Sequence, residues 1–265
     1  MRAEAGCAGG KGTRVTRRRR KKGPTIGDAL VVLLAAALLA WFLIPGAPEG
    51  AAKLWKDLSE GWLPGASASL EDVAATPDGQ LLMGLGLREG AGEEIPEYDR
   101  GAFGQAWADE DRNGCDTRND ILARDLARPV FKPGTHDCVV LSGTLAEPYT
   151  GSVIEFQRGQ DTSALVQIDH VVALGDAWRS GAWTWDAPTR QRFANDPANL
   201  LAVDGQANQD KGASSADQWL PSNADFRCAY VTRQIEVKST WGLSVTAQER
   251  DAMARILASC PADRD

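Results

Sequence analysis

Residues 167–174 read Gln-Ile-Asp-His-Val-Val-Ala-Leu, and no other stretch constrains the fold as strongly. The run before it, Ala-Leu-Val-Gln-Ile over 164–168, has the length and apolar character of a buried strand. That strand leads directly into Asp169 and His170. A carboxylate and an imidazole at the end of a buried strand are costly unless each finds a partner. Imidazole is also the side chain best suited to take a proton near neutral pH. The chain has two histidines, His136 and His170, so a histidine base here has almost no rival. His136 reads as a loop residue beside Cys138.

The stretch 195–212 supplies the partners. It reads as a turn carrying Asn199, a short strand over 200–203, a tight Asp204-Gly205 turn, and a helix that opens near Asn208 and carries Lys211. Asn208 and Lys211 are three residues apart and share a helix face. Two strands and a helix would then gather a carboxylate, an imidazole, an amide oxygen and an ammonium. Asp169 and Asn208 offer the oxygen atoms that a hard divalent cation prefers. His170 could deprotonate a water while the cation and Lys211 take up phosphate charge. Each residue also has a plainer reading. Asn199 suits a turn, Asn208 a helix N-cap and Lys211 a solvated surface.

The remaining pattern mixes strands and helices without regular alternation. Helices are expected over 98–107, 119–126, 174–180, 188–194 and 225–241, and strands over 139–144 and 151–156. Thr246-Ala247-Gln248-Glu249 is a capping box that opens a last helix to about 259. This favours an α+β fold. The N-terminal part differs in texture. Residues 1–44 hold nine Lys/Arg against two acids, a balance of +7, and with the whole chain at −7 the remainder carries −14. Residues 1–25 form a basic cytoplasmic tail in this reading, and 26–44 an uncharged-cored transmembrane signal anchor. Residues 45–94, rich in Gly, Ala, Pro and Glu, form a linker or stalk, and 95–265 the working domain. The expected localisation is the cell membrane, single-pass with the domain outside. Secretion after signal cleavage is the alternative. An acidic domain lacks the broad basic surface of a nonspecific nucleic-acid binder, although a bound cation could supply positive charge locally.

Of five cysteines, four follow the apolar run: Cys115, Cys138, Cys228 and Cys260. They allow three pairings, and the local ones, Cys115–Cys138 and Cys228–Cys260, are expected as disulfides. Zinc held by Cys115, His136 and Cys138 is the rival, weakened by the absence of a C-x-x-C knuckle.

Asp169-His170, Asn199 and Asn208 together resemble the D-H…N…N form of the HNH (ββα-metal) endonuclease motif. Asp111-Arg112-Asn113-Gly114-Cys115-Asp116-Thr117-Arg118-Asn119, Pro148-Tyr149-Thr150-Gly151, and Asn208-Gln209-Asp210-Lys211-Gly212 extend the resemblance to HNH proteins of the DUF1524 type, often secreted in actinobacteria. It covers roughly residues 98–260. The resemblance implies a ββα-metal core with added helices and disulfides. It implies His170 as general base, Asp169 and Asn208 as metal ligands, and Asn199 as the residue holding the loop and orienting His170. Asn208 stands where the family often has histidine, which suits Mg2+ first, with Ca2+ or Mn2+ as alternatives, and weakens zinc. Arg118 could contact phosphate or pair with Asp116 or Asp120.

Asp109, Asp111, Asn113, Gly114, Thr117 and Asp120 also fit a calcium-loop spacing, with a disulfide-closed acidic turn as the plainer reading. The expected activity is metal-dependent hydrolysis of nucleic-acid phosphodiesters by a monomer, on DNA before RNA. The alternative is a catalytically weak module that binds a ligand or calcium.

Overall fold

The computed structural model describes residues 70–88, 94–159 and 162–261. The basic tail, the apolar run over 26–44 and the greater part of the expected stalk lie outside the described residues. Among those that are described, no helix is long and apolar enough to cross a membrane.

The described chain is α+β, with two small antiparallel sheets. It opens with α1 (Leu70–Ala75) and α2 (Pro77–Gly84). These residues fall in the stretch read from sequence as a linker, whose end, 81–87, is expected to pack on the following domain. Leu82 and Leu85 do so, buried with Tyr230, Val231, Ile235 and Met253. The amphipathic signal is weak because α2 is only two turns long, so its partners, rather than its pattern, make it part of the core.

Residues 94–116 are mostly irregular. The helix expected over 98–107 is reduced to a 3-10 turn, Arg100–Phe103, capped by Asp99. Gly104, at φ +76, ends it in a backbone region that favours glycine. Next come α3 (Thr117–Asp125) and a three-stranded sheet, β1 (Ala127–Phe131), β2 (Val140–Ala146) and β3 (Val153–Gln157), in the order β1-β2-β3. β1 escapes sequence reading because it contains Pro129, which is tolerated there since the strand lies at the sheet edge.

β4 (Val166–His170) pairs antiparallel with β5 (Leu200–Asp204), Asp169 opposite Leu201 and His170 opposite Leu200. Asp169 and His170 are therefore the last two residues inside the strand, two positions further than the apolar run suggests. The link between the strands holds α4 (Leu174–Arg179), α5 (Ala187–Ala194) and the 3-10 turn Pro197–Asn199. α6 (Gly205–Lys211) follows β5 without a loop. Asp204 is its N-cap, accepting from the Ala207 amide, so Asn208 sits mid-helix. Gly205 is needed there: a Cβ would lie 2.1 Å from the Ala164 carbonyl oxygen.

α7 (Arg227–Thr240) and α8 (Ala247–Ala258) complete the fold. Thr246 caps α8 by accepting from the Glu249 amide, as the capping box predicts. The reciprocal half is missing, because the Glu249 carboxylate pairs with Lys238. Both local disulfides are present, Cys115–Cys138 and Cys228–Cys260. The β4–β5 ribbon lies between two apolar layers. Val166, Ile168, Leu200 and Ala202 pack with Ile121 and Leu122 of α3, while Val203 packs with Tyr149 and the α7 side chains.

Candidate active site

Successive strand residues point to opposite faces of a ribbon. Asp169 therefore faces the Tyr149 layer, and His170 shares the Ile168 face. Asp169 is buried, and both of its carboxylate oxygens are engaged. Oδ2 accepts from the Tyr149 hydroxyl at 2.5 Å, and Oδ1 pairs with Lys211 Nζ at 3.0 Å. Lys211 Nζ also donates to the His170 carbonyl at 2.8 Å. Tyr149 is delivered by the Pro148-Tyr149-Thr150-Gly151 turn. Glu147 folds this turn by accepting from the Tyr149 amide, the Thr150 amide and the Thr150 hydroxyl. Its ring stands edge-on to Trp219 and Tyr230. Burial, and then the Asp169 charge, hold the Tyr149 phenol well above its ordinary pKa, so it stays a donor.

On the other face, His170 Nε2 lies 2.8 Å from the Ala194 carbonyl. A carbonyl can only accept, so Nε2 carries the hydrogen and Nδ1 is left as the basic nitrogen. Burial pushes the imidazole pKa from 6.5 down to about 4, against the raising effects of the Ala194 bond and Asp169; Arg100 and Lys211 lower it further. The Trp107 indole lies nearly parallel to the ring, planes 15° apart and centroids at 6.2 Å. Asn199 is fully buried behind His170. Its Oδ1 accepts from the Val172 amide, its Nδ2 donates to the Val172 carbonyl, and its own carbonyl accepts from the Val171 amide. The side chain thus clamps the chain just after His170 and has no polar atom left over for a substrate. Arg124 and Arg233 hold the turn from outside through the Pro197 and Leu200 carbonyls.

Asn208 Nδ2 donates to Gln167 Oε1 at 2.8 Å, on the same face of β4 as Asp169. Asp169, His170 and Asn208 all line a cavity of about 250 Å³, together with Gln167, Tyr98 and Arg100. Arg100 is exposed, lies beside the Tyr98 hydroxyl, and has no ion pair among the described residues. Three of the residues picked from sequence therefore meet at one opening. Lys211 does not: it lies beneath the cavity, fully buried, its charge met by Asp169. Arg118 donates to the Val166 carbonyl at 3.2 Å. In the acidic loop, Asp109, Asp111 and Asp120 accept from the Asn113 and Gly114 nitrogens, and Thr117 donates to the Ala108 carbonyl. Among the described residues, no group of three or more His, Cys, Asp or Glu side chains is arranged to hold a metal ion. Sequence reading missed Tyr149, Arg100 and Trp107 as site residues. Tyr149 was visible inside a recognised turn; Arg100 and Trp107 lie in the stretch read as a helix, which is a 3-10 turn followed by irregular chain, so the helical reading did not point them at His170.

Residues 116–256, more than half of the chain, match the model of the GmrSD restriction endonuclease C-terminal domain. The chain belongs to that family. A GmrSD C-terminal domain is nuclease-like by kinship, and the matched segment contains Tyr149, Asp169, His170, Asn199, Asn208 and Lys211. Arg100 and Trp107 precede it. The chain is also 39% identical over 148 residues to an uncharacterized secreted protein of Arthroderma benhamiae, covering 55% of this chain and 68% of that one. That kinship and the two disulfides fit an extracellular GmrSD-type domain. No solved structure matches.

Proposed function

We propose that this domain is a metal-dependent HNH-type endonuclease, close to the DUF1524 kind, that hydrolyses nucleic-acid phosphodiesters at the cavity beside His170. The observation that carries the proposal is the locked tautomer of His170. With Nε2–H fixed on the Ala194 carbonyl, Nδ1 is a neutral acceptor on a ring that lines the same cavity as Asp169, Asn208 and Arg100. At neutral pH such an imidazole is always ready to accept a proton. Its low pKa makes it a weak base, but the single negative charge of a phosphodiester held by Arg100 offsets the lowering effect of that cation and so raises the pKa.

Water gives a proton to His170 and its oxygen forms the new bond to phosphorus. The opposite P–O ester bond breaks, the departing oxygen takes a proton from solvent water, and His170 gives its proton back to the solvent. Arg100 balances charge on the non-bridging oxygens. Asn199 keeps the chain after His170 fixed, and Tyr149 and Lys211 hold Asp169. The donors fit a hard cation: one carboxylate and one amide oxygen suit Mg2+, Ca2+ or Mn2+ with most of its own waters kept, and they do not suit zinc. When bound at Asp169 and Asn208, such an ion supplies Lewis-acid stabilisation of the phosphoryl oxygens. Because Lys211 already neutralises Asp169, cation binding is expected to be weak.

That same ion pair favours the second reading, a catalytically weak extracellular binding module, since Asp169 enters the site with both oxygens engaged. Plasmid DNA and RNA incubated with the full chain, with Mg2+ or Mn2+ and with EDTA, separate the two. EDTA-sensitive cleavage that His170→Ala abolishes supports the enzyme; intact substrate under every condition supports the module. The N-terminal apolar run, 26–44, would carry the domain across the membrane, and mass spectrometry of the culture supernatant reads whether it stays attached.

A further inference from the structure

A second cavity of about 280 Å³ lies on the other side of His170. It shares Arg100, His170 and Leu174 with the first and is closed by Phe103, Gln105 and Trp107. Phosphodiester chemistry at the first cavity makes no use of it. Its wall is unusual in one respect. Trp107 sits at φ +59, a backbone region that bulky residues avoid. Such strain persists where the surroundings fix it. Here the loop is tethered two residues before Trp107 by α5 and its C-cap: Gln191 Oε1 accepts from the Gln105 amide, and Asn195 Nδ2 donates to the Gln105 carbonyl. The result is an indole held nearly parallel to the imidazole at the edge of a small, largely apolar hollow, with the Arg100 guanidinium at the boundary between the two cavities.

We propose that the hollow bounded by Arg100, Trp107 and His170 seats one unstacked nucleobase next to the cleaved phosphodiester, so that the protein acts on single-stranded or unpaired nucleic acid in preference to duplex. This rests on the phosphodiester reading above. The size is right for one planar ring system, falling just under the roughly 300 Å³ at which pockets for drug-sized ligands begin. Every base has a π-face, so stacking on an indole needs no particular sequence. A base inside a duplex is stacked on both sides and would have to be extruded, which is least costly when it is already unpaired. The balance of charge points the same way. Residues 45–265 carry −14, a balance that disfavours a broad cationic grip on a duplex backbone and leaves more of the binding to local stacking beside Arg100. A purely packing role for Trp107, sealing the α3 layer it also touches, would show no dependence on strandedness.

The test compares short fluorescent oligonucleotides of one sequence, single-stranded and annealed, with the full chain in Mn2+. Wild type is expected to cut the single strand with roughly ten-fold lower KM than the duplex. Trp107→Ala should raise the single-strand KM roughly ten-fold and remove the difference, while Trp107→Phe, which keeps a ring, should retain most of it. As a readout independent of turnover, a 5-iodouracil single strand is photocrosslinked to the His170→Ala protein. Recovery of the label on the peptide containing Trp107 is expected, and this readout decides if Trp107→Ala does not fold. Equal cleavage of both forms with Trp107→Ala affecting them alike, or crosslinks recovered only outside 100–107, would overturn the base site and leave the nuclease standing. No cleavage of any nucleic acid by wild type, with no crosslink, would remove the nuclease and the base site together.

Discussion

At the scale of single residues, the site depends on charges held in low-dielectric surroundings. Lys211 Nζ is fully buried between Asp169 Oδ1 and the His170 carbonyl. Breaking a buried pair by removing one partner strands the other charge. Lys211→Met is therefore expected to destabilise the domain by about 3–5 kcal/mol, read as a fall in melting temperature. A phosphate-gripping Lys211 would instead leave stability unchanged and raise KM alone. His170 carries a signed pH dependence. Its folded pKa of about 4 lies below the ordinary 6.5, so between those pH values the unfolded chain binds a proton that the folded chain does not. The stability this contributes is complete above about pH 6.5 and is lost as pH falls toward 4, on the order of 3 kcal/mol in all. Urea titrations in EDTA at pH 7 and pH 4.5 should show this loss in wild type. His170→Gln should lack that share of it, and an identical pH slope in both proteins would reject the burial argument.

At the scale of elements, β4 gains its position from what packs on each end. Asn199, itself held through the 3-10 turn that Arg124 and Arg233 grip, fixes the exit of β4; Glu147 folds the turn that brings Tyr149 to its inner face. Far from the cavity, Lys238 lies 2.7 Å from both Asp176 and Glu249, with Arg88 closing the group, so α4, α7, α8 and the segment after α2 meet around one buried charge cluster. Helices α1 and α2 thus belong to the domain. Leu82 is fully buried against α7 and α8. Leu82→Ala should cost about 2–5 kcal/mol, as a core truncation does. If 70–88 acted as a detached stalk, chemical denaturation of the variant would match wild type.

At the scale of the whole molecule, the disulfides and the secreted relative agree on an oxidising compartment. Each bridge closes a loop, 23 residues apart for Cys115–Cys138 and 32 for Cys228–Cys260. The chain-entropy account gives about 3 kcal/mol for each. Non-reducing peptide mapping should recover those two pairs, and dithiothreitol should lower the melting temperature. Full alkylation of all four thiols without reductant would contradict the pairing. For the nuclease proposed above, the −14 balance beyond residue 44 would confine nucleic-acid contact to the neighbourhood of the cavity.

What the sequence by itself determined is local. Short apolar runs placed β2, β4 and β5, capping chemistry placed the start of α8, cysteine spacing gave both disulfides, and the order of Asp169, His170, Asn199 and Asn208 marked the candidate site. The strand and cap signals are carried by neighbours within a few residues, while the cysteine pairs, 23 and 32 residues apart, and the motif order were read from residue type and spacing. What only the tertiary structure decided involves partners far apart in the chain. Lys211 read as a phosphate-facing ammonium, with a solvated surface charge as the plainer reading, because a helix face says nothing of what covers it; Asp169, 42 residues away, turns it inward. Tyr149 is 20 residues from the carboxylate it bonds. Trp107 and Arg100 flank His170 although their segment read as a helix, because the side chains of Gln191 and Asn195 hold that loop in place. Burial of a charge becomes tolerable only when its partner arrives, and the arrival of a distant partner is a property of the packed fold.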